Sequence, residues 1–145
     1  MKICLYLVMA ILFVPEFSFA LCVSEPFAKL RKGPGRTWPV TFEVQQYMPL
    51  KKLSKQKGWY RVEDVDGQKH WVREDLVTTK YHCATIKDKF ANLRKGPGKN
   101  FDAVAASPGD KYLSFRWVSE KDGWLKLEDR DGDEVWVLKD LVWTQ

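Results

Sequence analysis

The sequence predicts an all-β fold made of two copies of one small unit, and three observations carry that reading. A nine-residue stretch occurs twice, as FAKLRKGPG at 27–35 and FANLRKGPG at 90–98, with eight of nine letters shared. A second block repeats as GWYRVEDVDGQKHWVREDLV at 58–77 and GWLKLEDRDGDEVWVLKDLV at 123–142, with eleven of twenty positions shared. No window shows a useful helical period, while polar–apolar alternation and Asp-Gly pairs recur. Matched blocks at near-constant spacing mark an internal duplication. The copies are 63 residues apart at the first block and 65 at the second, so two extra residues lie between the blocks of the second copy.

The elements follow in order. Residues 1–20 carry Lys2, a nearly unbroken apolar run from Ile3 to Val14, and the small residues Ser18 and Ala20 at −3 and −1 of a cut. That is the pattern of a secretory signal peptide cleaved near Ala20. The run is too short to span a bilayer comfortably, so no stable membrane insertion is expected after cleavage; an uncleaved anchor is the alternative. Leu21 stands where a lipid-modified cysteine at Cys22 would need a small residue, which argues against lipidation. The two units then span 22–82 and 83–145.

Within each unit the anchor block runs into an irregular stretch of about a dozen residues, containing Trp38-Pro39 in the first copy and Ser107-Pro108-Gly109 in the second. Strands are expected at Pro49–Lys55 and Lys111–Val118, then at Trp59–Glu63, whose residues alternate as a half-buried strand should. Asp66-Gly67 and Asp131-Gly132 are hairpin signals, because Gly tolerates positive φ. The returning strands are Lys69–Arg73 and Glu134–Leu138. A brief helical turn and a last short strand end each unit. Sixty residues bury too little surface to be robust alone, and seven Trp, eight Phe and five Tyr make up part of the deficit.

Of the three cysteines, Cys4 leaves with the signal, and Cys22 and Cys83 each precede an anchor block. In an exported chain they read as one disulfide joining the two units. Two free thiols or an intermolecular pair are the alternatives. The net charge of +5 is mild and spread along the chain. It does not mark a nucleic-acid binder, and in an exported protein it fits a solvated surface or contact with anionic envelope polymers.

The order of Arg-x-Gly-Pro-Gly, irregular loop, strand, Gly-Trp, Asp-Gly hairpin, Trp-Val and final Leu resembles the bacterial SH3-like (SH3b) domain. The resemblance covers nearly all of the chain after the signal and is in tandem, as in small exported SH3-like proteins. It implies two partly open barrels of five or six strands, binding a peptide-type ligand, with peptidoglycan the first candidate in the cell envelope. One departure stands out: the family often has Gly before the second Trp, where this chain has His70 and Val135.

Catalysis has little to stand on. A thiol hydrolase needs Cys beside His, and His82 and Cys83 are sequence neighbours whose side chains point to opposite faces of a strand. Two Cys and two His lack the spacing of a zinc site, so neither metal nor cofactor is expected. Glu63-Asp64 and Glu128-Asp129 sit beside Arg61 and Lys126 and read as surface charge pairing. The ligand-contact candidates are Trp59 and Trp124, each opening a strand after a Gly, with Trp38 and Tyr47 completing a surface in the first copy; the alternative is that both Trp pack between the repeats. Arg31 and Arg94 either grip a ligand carboxylate through the guanidinium fork or hold the irregular loop by its carbonyls. The function expected is a non-enzymatic exported binding module for cell-wall peptide. A periplasmic protein-protein adaptor is the alternative, and a small wall hydrolase a third.

Overall fold

The computed structural model describes residues 20–145, so the signal peptide expected at 1–20 lies outside the described residues except for Ala20. The first unit contains β1 (Ala20–Val23), β2 (Phe27–Arg31), β3 (Val40–Gln45), β4 (Pro49–Gln56), β5 (Trp59–Glu63), β6 (Lys69–Arg73), a 3-10 turn (Glu74–Leu76) and β7 (Val77–Thr78). The second repeats the order as β8 (His82–Ile86), β9 (Phe90–Ala91), β10 (Gly109–Asp110), β11 (Ser114–Lys121), β12 (Trp124–Glu128), β13 (Glu134–Leu138), a 3-10 turn (Lys139–Leu141) and β14 (Val142–Thr144). The fold is all-β, as predicted.

The strands of the first unit form one sheet in the order β3-β2-β6-β5-β4-β1-β7, with every neighbouring pair antiparallel. The second unit has a five-stranded sheet, β13-β12-β11-β8-β14, and a separate two-stranded piece, β10-β9. Three details differ from the sequence reading. The irregular stretch of the first copy contains β3, whose Val40-Thr41-Phe42-Glu43-Val44 alternation is hidden in the sequence by the Trp38-Pro39 before it. The entrances to both units are strands, β1 and β8. And β11 begins at Ser114 because Tyr112 adopts φ 73°, breaking the strand predicted from Lys111; Tyr47 does the same before β4 with φ 69°.

The two extra residues of the second copy can be placed. Arg94 bridges Ala103 as Arg31 pairs Val40, still 63 apart, whereas Asp110 pairs Phe90 as Gln45 pairs Phe27, now 65 apart. The insertion therefore lies between Ala103 and Asp110, around the cis Ser107-Pro108 bond. It replaces the long β2–β3 ladder with a short one.

Two kinds of turn close the hairpins. Lys57-Gly58 and Asp122-Gly123 have φ of 44°, 86°, 50° and 81°, the paired positive values of the tight two-residue hairpin turn. The predicted Asp-Gly pairs sit in a longer loop. There the Asp64 carboxylate Oδ1 accepts from the backbone N–H groups of Asp66 and Gln68, both at 2.9 Å, and Asp129 repeats this with Asp131 and Asp133. These acids are turn-formers.

Each unit owns a core. Leu21, Leu30, Val44, Leu50, Val62 and Val72 bury the first, and Ile86, Leu93, Phe115, Leu125, Leu127 and Val137 the second. Each such side chain contributes roughly 1.5–3 kcal/mol on leaving water. The predicted disulfide is present: Cys22 on β1 is bonded to Cys83 on β8, with Cα atoms 6.0 Å apart and both residues fully buried. Around it the units meet through polar and aromatic contacts. Asp66 accepts from Lys111 Nζ at 2.7 Å and from the Tyr112 hydroxyl at 2.6 Å, and Phe42 packs edge-on against Tyr112.

Candidate ligand-binding cleft

Strand alternation sorts the first anchor block. Ala28 and Leu30 turn into the core, which leaves Phe27 and Lys29 on the outer face, with Arg31 half-buried beyond them. The register sets Glu43 opposite Lys29 on β3 and Trp59 opposite Arg73 on β6. The positive-φ turn at Lys57-Gly58 delivers Trp59 to the start of its strand. Together with Arg36 from the Gly-Pro-Gly loop and Leu76 from the 3-10 turn, these residues line a cleft of about 230 Å³. Phe27 is 55% exposed at its mouth.

The cleft brings together two of the sequence-predicted residues, Trp59 and Arg31, and adds Phe27, Lys29, Arg36, Glu43, Arg73 and Leu76, which sequence reasoning did not select. Only Arg73, on the returning strand of the Trp59 hairpin, carried a local signal; Phe27, Lys29 and Glu43 lie on β2 and β3, beyond β6 in the sheet. Arg31 serves two surfaces: its Nη1 donates to the Trp38 carbonyl at 2.9 Å, fixing the loop, and the residue also lines the cleft. Arg73 is paired through Nε with exposed Asp75, whose carboxyl the guanidinium holds below its ordinary range.

The other candidates lie elsewhere. Trp38 folds over Gly33, where a Cβ would come within 2.3 Å of the indole, so the glycine is required by close approach. Trp38 is 46% exposed but does not line the cleft. Tyr47 lies against Tyr81 near the disulfide. Trp124 differs from its twin: it is 8% exposed, opposite Leu138 where Trp59 faces Arg73. Arg94 donates to the Phe101 carbonyl at 3.0 Å, the counterpart of the Arg31–Trp38 bond, and its Nε is buried without a partner.

His70, the departure from the family pattern, is buried. Its Nε2 is 2.7 Å from Asp64 Oδ2 and its Nδ1 is 2.6 Å from Thr41 Oγ1, which also reaches the Leu30 carbonyl. The equivalent positions in the second unit are Val104 and Val135, an apolar pair. Both thiols are consumed in the disulfide, which leaves no thiolate for His82. Among the described residues, no group of three or more His, Cys, Asp or Glu is placed to hold a metal ion.

The family model described as bacterial SH3 domain matches residues 24–78 and 87–144. YrvJ of Bacillus subtilis (strain 168), by name an N-acetylmuramoyl-L-alanine amidase, is 27% identical over 123 residues. The match takes in 78% of this chain but 23% of that protein, so the chain spans less than a quarter of its length. Among solved structures, the Trichomonas vaginalis protein NlpC2 aligns with 88% of this chain and 48% of its own, at 14% identity and TM-score 0.38. The solved structure named endolysin LysPBC5 CBD aligns with 91% of this chain and 97% of its own, at 16% identity and TM-score 0.37. At these TM-scores the structural likenesses carry no argument. The family match covers most of the chain in two consecutive segments, and the chain belongs to the bacterial SH3 domain family.

Proposed function

We propose that this protein is a non-enzymatic binding module that recognises a peptide-type cell-envelope ligand, with peptidoglycan as the ligand, and that it acts after export. The observation that carries the reading is the cleft of the first unit, where a half-buried Trp59 and exposed Phe27 sit beside unspent guanidinium donors. Apolar walls with a few convergent polar groups are the ordinary make-up of a ligand site. Two further observations support it. Family membership makes binding the natural role, and the curated relative YrvJ is by name an enzyme that acts on the muramoyl–alanine linkage.

Retention of the purified chain, starting at Leu21, on isolated sacculi is the test. The wild type is expected to co-sediment at low and moderate salt, and Trp59→Ala to lose most of that retention while keeping its β circular dichroism. No retention of the wild type would overturn the reading. Clearing of sacculi by the purified protein in a zymogram would replace it with hydrolysis.

A further inference from the structure

The two units carry the same anchor and the same Trp, yet their outer faces differ in charge. In the first unit the cleft wall holds Lys29, Arg31, Arg36 and Arg73 against the single carboxylate of Glu43. Carrying each residue to its counterpart changes the wall. Lys29 becomes Asn92 and Arg73 becomes Leu138, while Arg94 has one guanidinium nitrogen on the Phe101 carbonyl and another buried without a partner. Of the four counterparts, Lys99 alone is an exposed cation. The Trp itself is withdrawn, half-buried at 59 and 8% exposed at 124.

We infer that the cleft of the first unit is selective for a peptide segment bearing free carboxylates, and that the second unit does not bind this ligand but supports the first. The inference rests on the binding reading above and names the ligand chemistry of that same cleft. Guanidinium groups suit carboxylates because two parallel N–H groups match the two oxygens, and charge-assisted bonds are the strong ones. Arg31 and Arg73 are each fixed by one bond, to the Trp38 carbonyl and to Asp75, so their remaining donors are oriented before a ligand arrives. The aromatic pair Phe27 and Trp59 supplies apolar contact for the segment that carries the carboxylates.

The experiment titrates the full chain from Leu21 with a synthetic tetrapeptide, Ala-Glu-Lys-Ala, and with the same peptide amidated at its side-chain and terminal carboxyls. Chemical shifts of the Trp59 indole N–H report the site. The acidic peptide is expected to move that resonance, and amidation to weaken binding by about tenfold or more, the scale of a lost charge-assisted hydrogen bond. Added salt weakens the acidic peptide's binding through screening. The double variant Lys29→Asn/Arg73→Leu gives the first unit the second unit's residues and should lose binding to the same degree. If that variant does not fold, Arg36→Glu, in an exposed loop, tests the same charge.

Equal binding of the amidated peptide, no binding of the acidic one, or unchanged binding by the variants overturns the inference. So does glycerol phosphate competing as strongly as the peptide, which would assign the cleft to a phosphate polymer. The two readings fail separately. Sacculus retention that Trp59→Ala abolishes and the charge variants leave intact defeats only the carboxylate inference. Carboxylate binding without sacculus retention defeats only the peptidoglycan reading.

Discussion

His70 shows how one residue sets the difference between two copies of a unit. Buried polar groups must find partners, and His70 finds two, Asp64 at 2.7 Å and Thr41 at 2.6 Å. The second unit solves the same position with Val104 and Val135 and leaves Asp129 to its turn. A single exchange is therefore worse than a paired one. His70→Val is expected to cost about 1–3 kcal/mol, since it strips Asp64 and Thr41 of a buried partner. Thr41→Val/His70→Val, which installs the second unit's pair, should cost less than the two single changes added together. Urea denaturation of the three variants checks this, and strict additivity would show that the two side chains do not act as a pair.

At the scale of elements, the β5–β6 loop is the informative case. Asp64 caps it from within and thereby presents Asp66 to the other unit, where Lys111 and Tyr112 donate to it. The Lys111 bond, then the Tyr112 bond, holds the Asp66 carboxyl below its ordinary range. A carboxylate depressed by folding contributes stability that is present above its unfolded pKa and is lost as pH falls through the folded one. The latch is therefore expected to be closed at neutral pH and to open only in acid, below the usual carboxylate range. The amide shifts of Lys111 and Tyr112 followed against pH should show that transition, and Asp66→Ala should abolish it. A transition at or above the ordinary carboxylate range would contradict the assignment. Because the pair is exposed, its loss is expected to loosen the junction without unfolding either unit.

For the whole molecule, two small cores are joined by one covalent bond and a seam of polar and aromatic contacts. Cys22 and Cys83 are 61 residues apart in sequence, and closing a loop of that size limits the unfolded chain by about 4 kcal/mol in the chain-entropy treatment. The oxidised chain from Leu21 is expected to show no titratable thiol in denaturant and two after reduction. Reduction, or Cys22→Ser/Cys83→Ser, should lower the denaturation midpoint while leaving the β circular dichroism of both units at the outset. An unchanged midpoint would mean that the seam alone holds the units together.

Much of this protein can be read from its sequence. The all-β class and the positions of β5, β6, β12 and β13 follow from local pattern, because alternation and turn chemistry act within a few residues of one another. The duplication and the inter-unit disulfide follow from matched blocks and from cysteines at the entrances of the two copies, 61 residues apart. What tertiary structure decided is of a different kind. Whether a Trp faces solvent depends on the residue across the ladder, Arg73 for Trp59 and Leu138 for Trp124, and strand register is a long-range property. The edge strand β3, the partners of His70 and the gathering of Lys29, Arg31, Arg36 and Arg73 into one wall likewise required the chain to be folded. Nearly identical anchor blocks open both units, and the residues folded beside them make a cationic cleft of the first while the second has Asn92 and Leu138 where the first has Lys29 and Arg73.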